Sequence, residues 1–149
     1  MNKNFELKDR VAIVTGGAQG IGRATALMLA EHGAKIVIWD VKKETAQATV
    51  SLLKSKGSKA MFMEDVDITK LDSVEKACEG IIEAYGSIDI LVNNAGIVRD
   101  ASFKKMTPEQ WQQVIDVNLT GVFNCTKAAS KYMMEANYGK IVNLASVVG

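Results

Sequence analysis

Residues 11–22, Val-Ala-Ile-Val-Thr-Gly-Gly-Ala-Gln-Gly-Ile-Gly, constrain this chain more than any other stretch. The β-branched apolar run at Val11–Thr15 reads as a buried strand. It runs into a glycine-rich turn, after which Arg23-Ala24-Thr25-Ala26-Leu27-Met28-Leu29-Ala30 has helical spacing. A helix that starts this way leaves its first backbone N–H groups unpaired and aimed outward. Together with the positive end of the macrodipole they make a seat for a phosphate. Gly16 suits the tight turn, and Gly20 has no side chain to hold a pyrophosphate off the backbone. Gly22 lets helix and strand approach closely.

A second β-rich run, Lys35–Trp39, ends in Asp40. That acid lies about 20 residues beyond the glycines, where a dinucleotide-binding fold places its ribose-binding carboxylate. Strand-like and helix-like segments then alternate to the last residue, the pattern of βαβ units around a parallel sheet. The strands are expected at about Arg10–Thr15, Lys35–Trp39, Lys59–Met63, Ile88–Val92 and Lys140–Leu144. Helices are expected over about Gly20–His32, Lys43–Lys56 and Leu71–Tyr85, closed by Gly33, Gly57 and Gly86. In the third strand Ala60 and Phe62 oppose Met61 and Met63, so both faces are apolar, as in a sheet covered on both sides.

Thr69 and Asp72 have the spacing of a helix start. Asp67, just before them, reads as a turn or cap residue. Thr107-Pro108-Glu109-Gln110 is a further helix start, with Thr as cap, Pro first and Gln third. The helix it opens runs through Trp111, Val114, Leu119, Phe123 and Tyr132 toward Asn137. Its middle, Val117-Asn118-Leu119-Thr120-Gly121, forms helix poorly, and a kink or π-bulge near Asn118 would be consistent with a functional site there.

The totals of the 149 residues exclude several classes. Hydrophobic content of 48%, charged content of 23% and a net charge of +1 are values of a globular domain. They argue against a nucleic-acid or membrane surface. No run is long enough to span a bilayer, and Met1–Arg10 has no apolar core of a signal peptide. Cys78 and Cys125 are too few and too far apart for a disulfide framework or a metal site, and each reads as a small buried residue. His32, beside the Gly33 cap, suits a helix C-terminus and has no second ligand for a metal. A reduced, cytoplasmic protein without metal is expected.

Thr15-Gly16-x-x-x-Gly20-x-Gly22, Asn93-Asn94-Ala95-Gly96, Asn118 and Ser146 together resemble the short-chain dehydrogenase/reductase family. The stretch from Asn93 to Gly149 looks most like its 3-oxoacyl-thioester reductases. The resemblance implies an α/β, Rossmann-type, doubly wound parallel sheet, here with five strands in the order 3-2-1-4-5 and the C-terminal strands missing. It implies a nicotinamide cofactor contacted by Gly16, Gln19, Gly20, Ile21, Gly22, Asp40, Asp67, Ile68, Asn94, Ala95 and Gly96. Asp40 can accept hydrogen bonds from free ribose hydroxyls and would repel a 2′-phosphate. NADP-preferring relatives tend to carry a base where Gln19 stands or after the second strand, where Lys42 is the nearest. NAD(H) is therefore expected over NADP(H).

By the same resemblance Ser146 would polarise a carbonyl oxygen and Asn118 would organise a water relay. The family's Tyr-x-x-x-Lys pair has no counterpart: four residues after Tyr85, Tyr132 and Tyr138 stand Asp89, Ala136 and Val142. The expected function is hydride transfer between a carbonyl and a secondary alcohol, performed by a longer protein of which this is the N-terminal part. Val147-Val148-Gly149 reads as the start of its active-site loop. The alternative is a finished half-domain that binds nucleotide or aids folding without catalysis. The expected partner is a small carbonyl or alcohol substrate, with a dimer or tetramer formed through the long helix. A truncated chain would self-associate through the exposed last strand.

Overall fold

A computed structural model describes residues 6–146, so the reading of 147–149 as a loop lies outside the described residues. The elements alternate as β1 (Val11–Thr15), α1 (Gly20–Glu31), β2 (Lys35–Trp39), α2 (Lys43–Ser55), β3 (Ala60–Phe62) and α3 (Leu71–Tyr85). They continue as β4 (Ile90–Asn93), α4 (Pro108–Ile115), a π-helical turn (Asp116–Thr120), α5 (Gly121–Glu135) and β5 (Lys140–Asn143). The five strands form one parallel sheet in the order β3-β2-β1-β4-β5. This is the expected order, with β1 in the middle.

Alternation along the strands divides the core into two layers. Val11, Ile13, Val37, Trp39 and Leu91 face α3 and α5 and pack with Val74, Ile81, Cys125 and Met133. Ala12, Val14, Ile36, Ile38 and Val92 face α1 and α2 and pack with Ala26, Val50 and Leu53. Met61 and Met63 join the first layer, Ala60 and Phe62 the second, so β3 is covered on both sides. Cys78 and Cys125 are fully buried in the first layer, and burial pushes both thiols up to about 12. Among the described residues no helix is long and apolar enough to cross a membrane, and no group of His, Cys, Asp and Glu could hold a metal ion.

Two local expectations are corrected. Thr69 does not cap α3: the cap residue is Lys70, which makes no side-chain cap bond. The Thr69 hydroxyl donates to Asp67 Oδ1 at 2.6 Å and so is already engaged. Strand β4 starts at Ile90 rather than Ile88, because Val11 N–H donates to the Asp89 carboxylate at 2.9 Å. That side chain, rather than a ladder partner, serves this N–H. Asp89 also accepts from Arg10 (2.8 Å) and Ser87 (2.7 Å), and the Arg10 guanidinium stacks 3.7 Å from the Tyr138 ring centroid. This cluster braces the N-terminal ends of β1 and β4.

Thr107 forms the expected capping box with Gln110, and the helix passes through the expected irregularity as one π-turn centred on Asn118. At the sheet's far edge, among the described residues, β5 pairs with β4 alone and is exposed along its whole length. Ile141, Val142 and Leu144 remain 38%, 50% and 39% exposed.

Candidate active site

The strands deliver their C-terminal ends to one side of the sheet, and a cleft of about 850 Å³ opens there. That volume suits a ligand of nucleotide size. Its floor is the turn after β1. Gly16 has φ +64°, and a Cβ on it would lie 2.9 Å from Ala95 Cα. At Gly22 a Cβ would lie 2.2 Å from the Gly16 carbonyl oxygen, so the first turn of α1 sits directly on the loop. Gly20 is different: its φ is +55°, and nothing lies within 4 Å of the place a Cβ would take. The open room is beside the unpaired N–H groups of the α1 N-terminus, where the arrangement fits an anion.

Asp40 stands on one rim. Its two carboxylate oxygens accept from the backbone N–H groups of Ala18 and Lys42, both at 2.9 Å. The side chain is thus a fixed negative charge that still has lone pairs for a further donor. Lys42 lines the cleft as well, and its Nζ donates to Gln19 Oε1 at 3.1 Å across the rim. Lys43 pairs with Glu64, which raises the lysine's pKa.

Asp67 and Ile68 border the same cleft. The Asp67 carboxylate accepts from Thr69 N–H and Oγ1 and lies 3.0 Å from Lys70 Nζ. The Thr69 hydrogen bond, with Lys70 behind it, holds its pKa below the ordinary carboxylate value. Its turn-forming role is therefore present, and both oxygens already have partners.

The opposite wall is Asn94-Ala95-Gly96-Ile97. Thr15 Oγ1 accepts from the N–H groups of both Asn94 (3.0 Å) and Ala95 (2.9 Å). Asn94 Nδ2 returns two bonds, to the carbonyls of Thr15 and Gly16. Asn93 points the other way, its amide donating to Asn143 Oδ1 at 2.8 Å and Thr126 Oγ1 at 3.1 Å. The motif therefore divides: Asn93 ties the sheet to β5, and Asn94 to Gly96 form the wall.

Asn118, on the π-turn, grips Ile97 at two points. It accepts from Ile97 N–H at 2.8 Å and donates to Ile97 C=O at 2.9 Å. Each polar atom of that amide thus has one partner in the wall, with one N–H and one lone pair still unused by these two bonds. Ser146 lies three residues past Asn143, and Gly96 three past Asn93, while Asn93 and Asn143 are register partners. Both thus leave the sheet at the same end. Ile21 and Gly22 line α1 rather than the cleft, and Ile21 is 67% exposed. Thr15, Trp39, Val66 and Val117 took no site role in the sequence reading; all but Thr15 line the cleft. Their signal there was only that of buried apolar residues.

Named proteins are similar to this chain in sequence. It is 42% identical to the 3-oxoacyl-[acyl-carrier-protein] reductase FabG of Chlamydia muridarum over 147 residues, 98% of this chain and 59% of that protein. It is 44% identical to the 3-oxoacyl-[acyl-carrier-protein] reductase of Synechocystis, over 96% of this chain and 58% of that one. The crystal structure of gox2181 superposes with a TM-score of 0.90 at 38% identity, covering 97% of this chain and 56% of that one. The chain spans about three-fifths of the length of the curated relatives it matches. A family model described as short chain dehydrogenase matches residues 10–149, from the head of the central strand onward, and the chain belongs to that family.

Proposed function

We propose that the cleft seats a nicotinamide dinucleotide, NAD(H) in preference to NADP(H). The protein would act in hydride transfer between a carbonyl, with a 3-oxoacyl thioester favoured, and its secondary alcohol. One observation carries this reading: a single cleft runs from the fixed carboxylate of Asp40, past the open amides at Gly20, to the wall held by Asn118. The nicotinamide, when bound, supplies or takes the hydride. The amides at the start of α1 hold the pyrophosphate, and Asp40 accepts from the ribose hydroxyls while opposing a 2′-phosphate. Asp67 and Ile68 border the adenine. Asn94, Ala95 and Gly96 form the wall beside the nicotinamide. Ser146 donates to the substrate oxygen, and the Asn118 turn orders water behind it.

These 149 residues contain no Tyr-x-x-x-Lys pair. As an isolated polypeptide they are expected to bind cofactor and not turn it over. The exposed Trp111, Leu119 and Phe123 on the α4–α5 helix offer an apolar face to a second copy. Two buried free cysteines suit a reducing compartment, the cytoplasm.

The test is the ratio of NADPH to NADH dissociation constants, for the protein and for Asp40→Ala, read from Trp39 fluorescence. The native protein is expected to prefer NADH by about tenfold or more, since one charge opposite a phosphate at a solvent-exposed rim is worth about 1–2 kcal/mol. The preference should collapse in Asp40→Ala. An unchanged ratio would show that Asp40 does not face the ribose.

A further inference from the structure

Asn124 lies on α5 with 5% of its surface exposed, in a helix face otherwise committed to packing. Its Nδ2 donates to the backbone carbonyl of Ile68 at 2.9 Å. Gly121 is one turn earlier on the same helix face. A Cβ there would stand 2.9 Å from Ile68 Cδ1 and 3.0 Å from Cγ1. Ile68 is therefore held by one helix through its backbone and its side chain at once. The segment that carries it belongs to neither β3 nor α3, which end at Phe62 and begin at Leu71. Asp67 bonds Thr69 within the segment and its N–H donates to Ser73 Oγ at the start of α3, but neither bond reaches α5.

We infer that Asn124 is a positioning residue for the adenine end of the cleft. Its amide, with the room left by Gly121, sets how far Ile68 stands from the opposite wall. The inference rests on the dinucleotide reading of the cleft given above. It gives residues 118–124 two grips: Asn118 holds Ile97 on one side, and Asn124 holds Ile68 on the other. The phosphate seat at Gly16–Gly22 has no part in either grip. Without the Asn124 amide the Ile68 carbonyl loses its donor and the segment moves toward water to replace it.

Binding of ADP and of inorganic pyrophosphate, measured by calorimetry on the whole chain, separates positioning from general loosening. In Asn124→Leu, ADP affinity is expected to fall about tenfold or more, because a small displacement of a binding wall is costly. Pyrophosphate affinity should stay within about twofold, as expected of sites that share no partner. Gly121→Ala pushes Ile68 outward and should also weaken ADP alone. Adding Ile68→Val, which removes the crowding Cδ1, should restore much of that affinity.

Equal losses for both ligands, or unchanged ADP binding in folded Asn124→Leu, would overturn the inference. If Asn124→Leu fails to fold, the Gly121→Ala pair decides: ADP loss without recovery by Ile68→Val refutes it. A native protein that binds pyrophosphate but not ADP overturns the dinucleotide reading itself, and that result is distinct from an effect confined to the variants.

Discussion

Asp89 offers the sharpest energetic test of how the sheet is assembled. Its carboxylate is 4% exposed and accepts three hydrogen bonds, from Arg10, Val11 N–H and Ser87. In Asp89→Ala the fully buried Val11 N–H has no acceptor, which alone costs about 1–3 kcal/mol. The Arg10 side chain is 42% exposed and can turn to water, so no charge is stranded. With the other two bonds lost as well, at about 0.5–1.5 kcal/mol each, the variant should lose about 2–5 kcal/mol in all. Asp89→Asn retains one oxygen and should lose about half of that.

Urea unfolding followed through buried Trp39 and by circular dichroism measures both. The melting point of the alanine variant should drop by about 10 °C. ADP binding should persist, because the cluster lies at the strand ends opposite the cleft. A loss below about 1 kcal/mol, within the ordinary range of surface substitutions, would refute the brace. The pH dependence gives a second reading. Burial pushes the Asp89 carboxyl up, but the Val11 N–H, Ser87 and Arg10 outweigh it and hold the group below its usual value. Its contribution is therefore complete above the unfolded value near 4 and is lost as pH falls through the lower folded value. Asp89→Asn should flatten the native protein's loss of stability in that acid window.

Gly22→Ala and Gly20→Ala should part company. The first drives a methyl into the Gly16 carbonyl and should cost about 3 kcal/mol or more, visible as a lower melting point. The second meets only its positive φ, about 1 kcal/mol, yet should abolish pyrophosphate binding by filling the open seat. The β5 edge should pair with other copies of this polypeptide; Val142→Lys is expected to shift sedimentation toward monomer, and unchanged association would place the contact elsewhere.

The strands and the first three helices were legible because each strand carries its own apolar pattern and each of those helices a glycine after it, whereas the order of the sheet came with the family resemblance. The irregularity near Asn118 was legible as well, since Val117, Asn118, Thr120 and Gly121 around Leu119 are all weak helix formers. Other features depend on partners far along the chain. Thr69 has the spacing of a cap, but Asp67 competes for its hydroxyl. Asp89 looks like part of a strand until its carboxylate is seen to occupy Val11 N–H. The role of Asn124 was hidden for the same reason: its acceptor is a backbone carbonyl 56 residues away. A polar residue within an apolar helical stripe was the only trace it left.

The central place of β1 has a consequence for the order of events during synthesis. The strand is made first, and β2 can line up against it early. Its other edge waits for β4, whose pairing with β1 spans nearly eighty residues, as the bond between Val11 and Asp89 records. At a ribosome speed of about 5–20 residues per second, that delay is roughly 4–15 seconds. Throughout it, a strand that ends up buried at every residue has one edge open, and α1 and α2 can cover only one of its faces. The second face closes only when α3 and α5 arrive. The residues that end up deepest are therefore the ones whose edge and second face stay open longest.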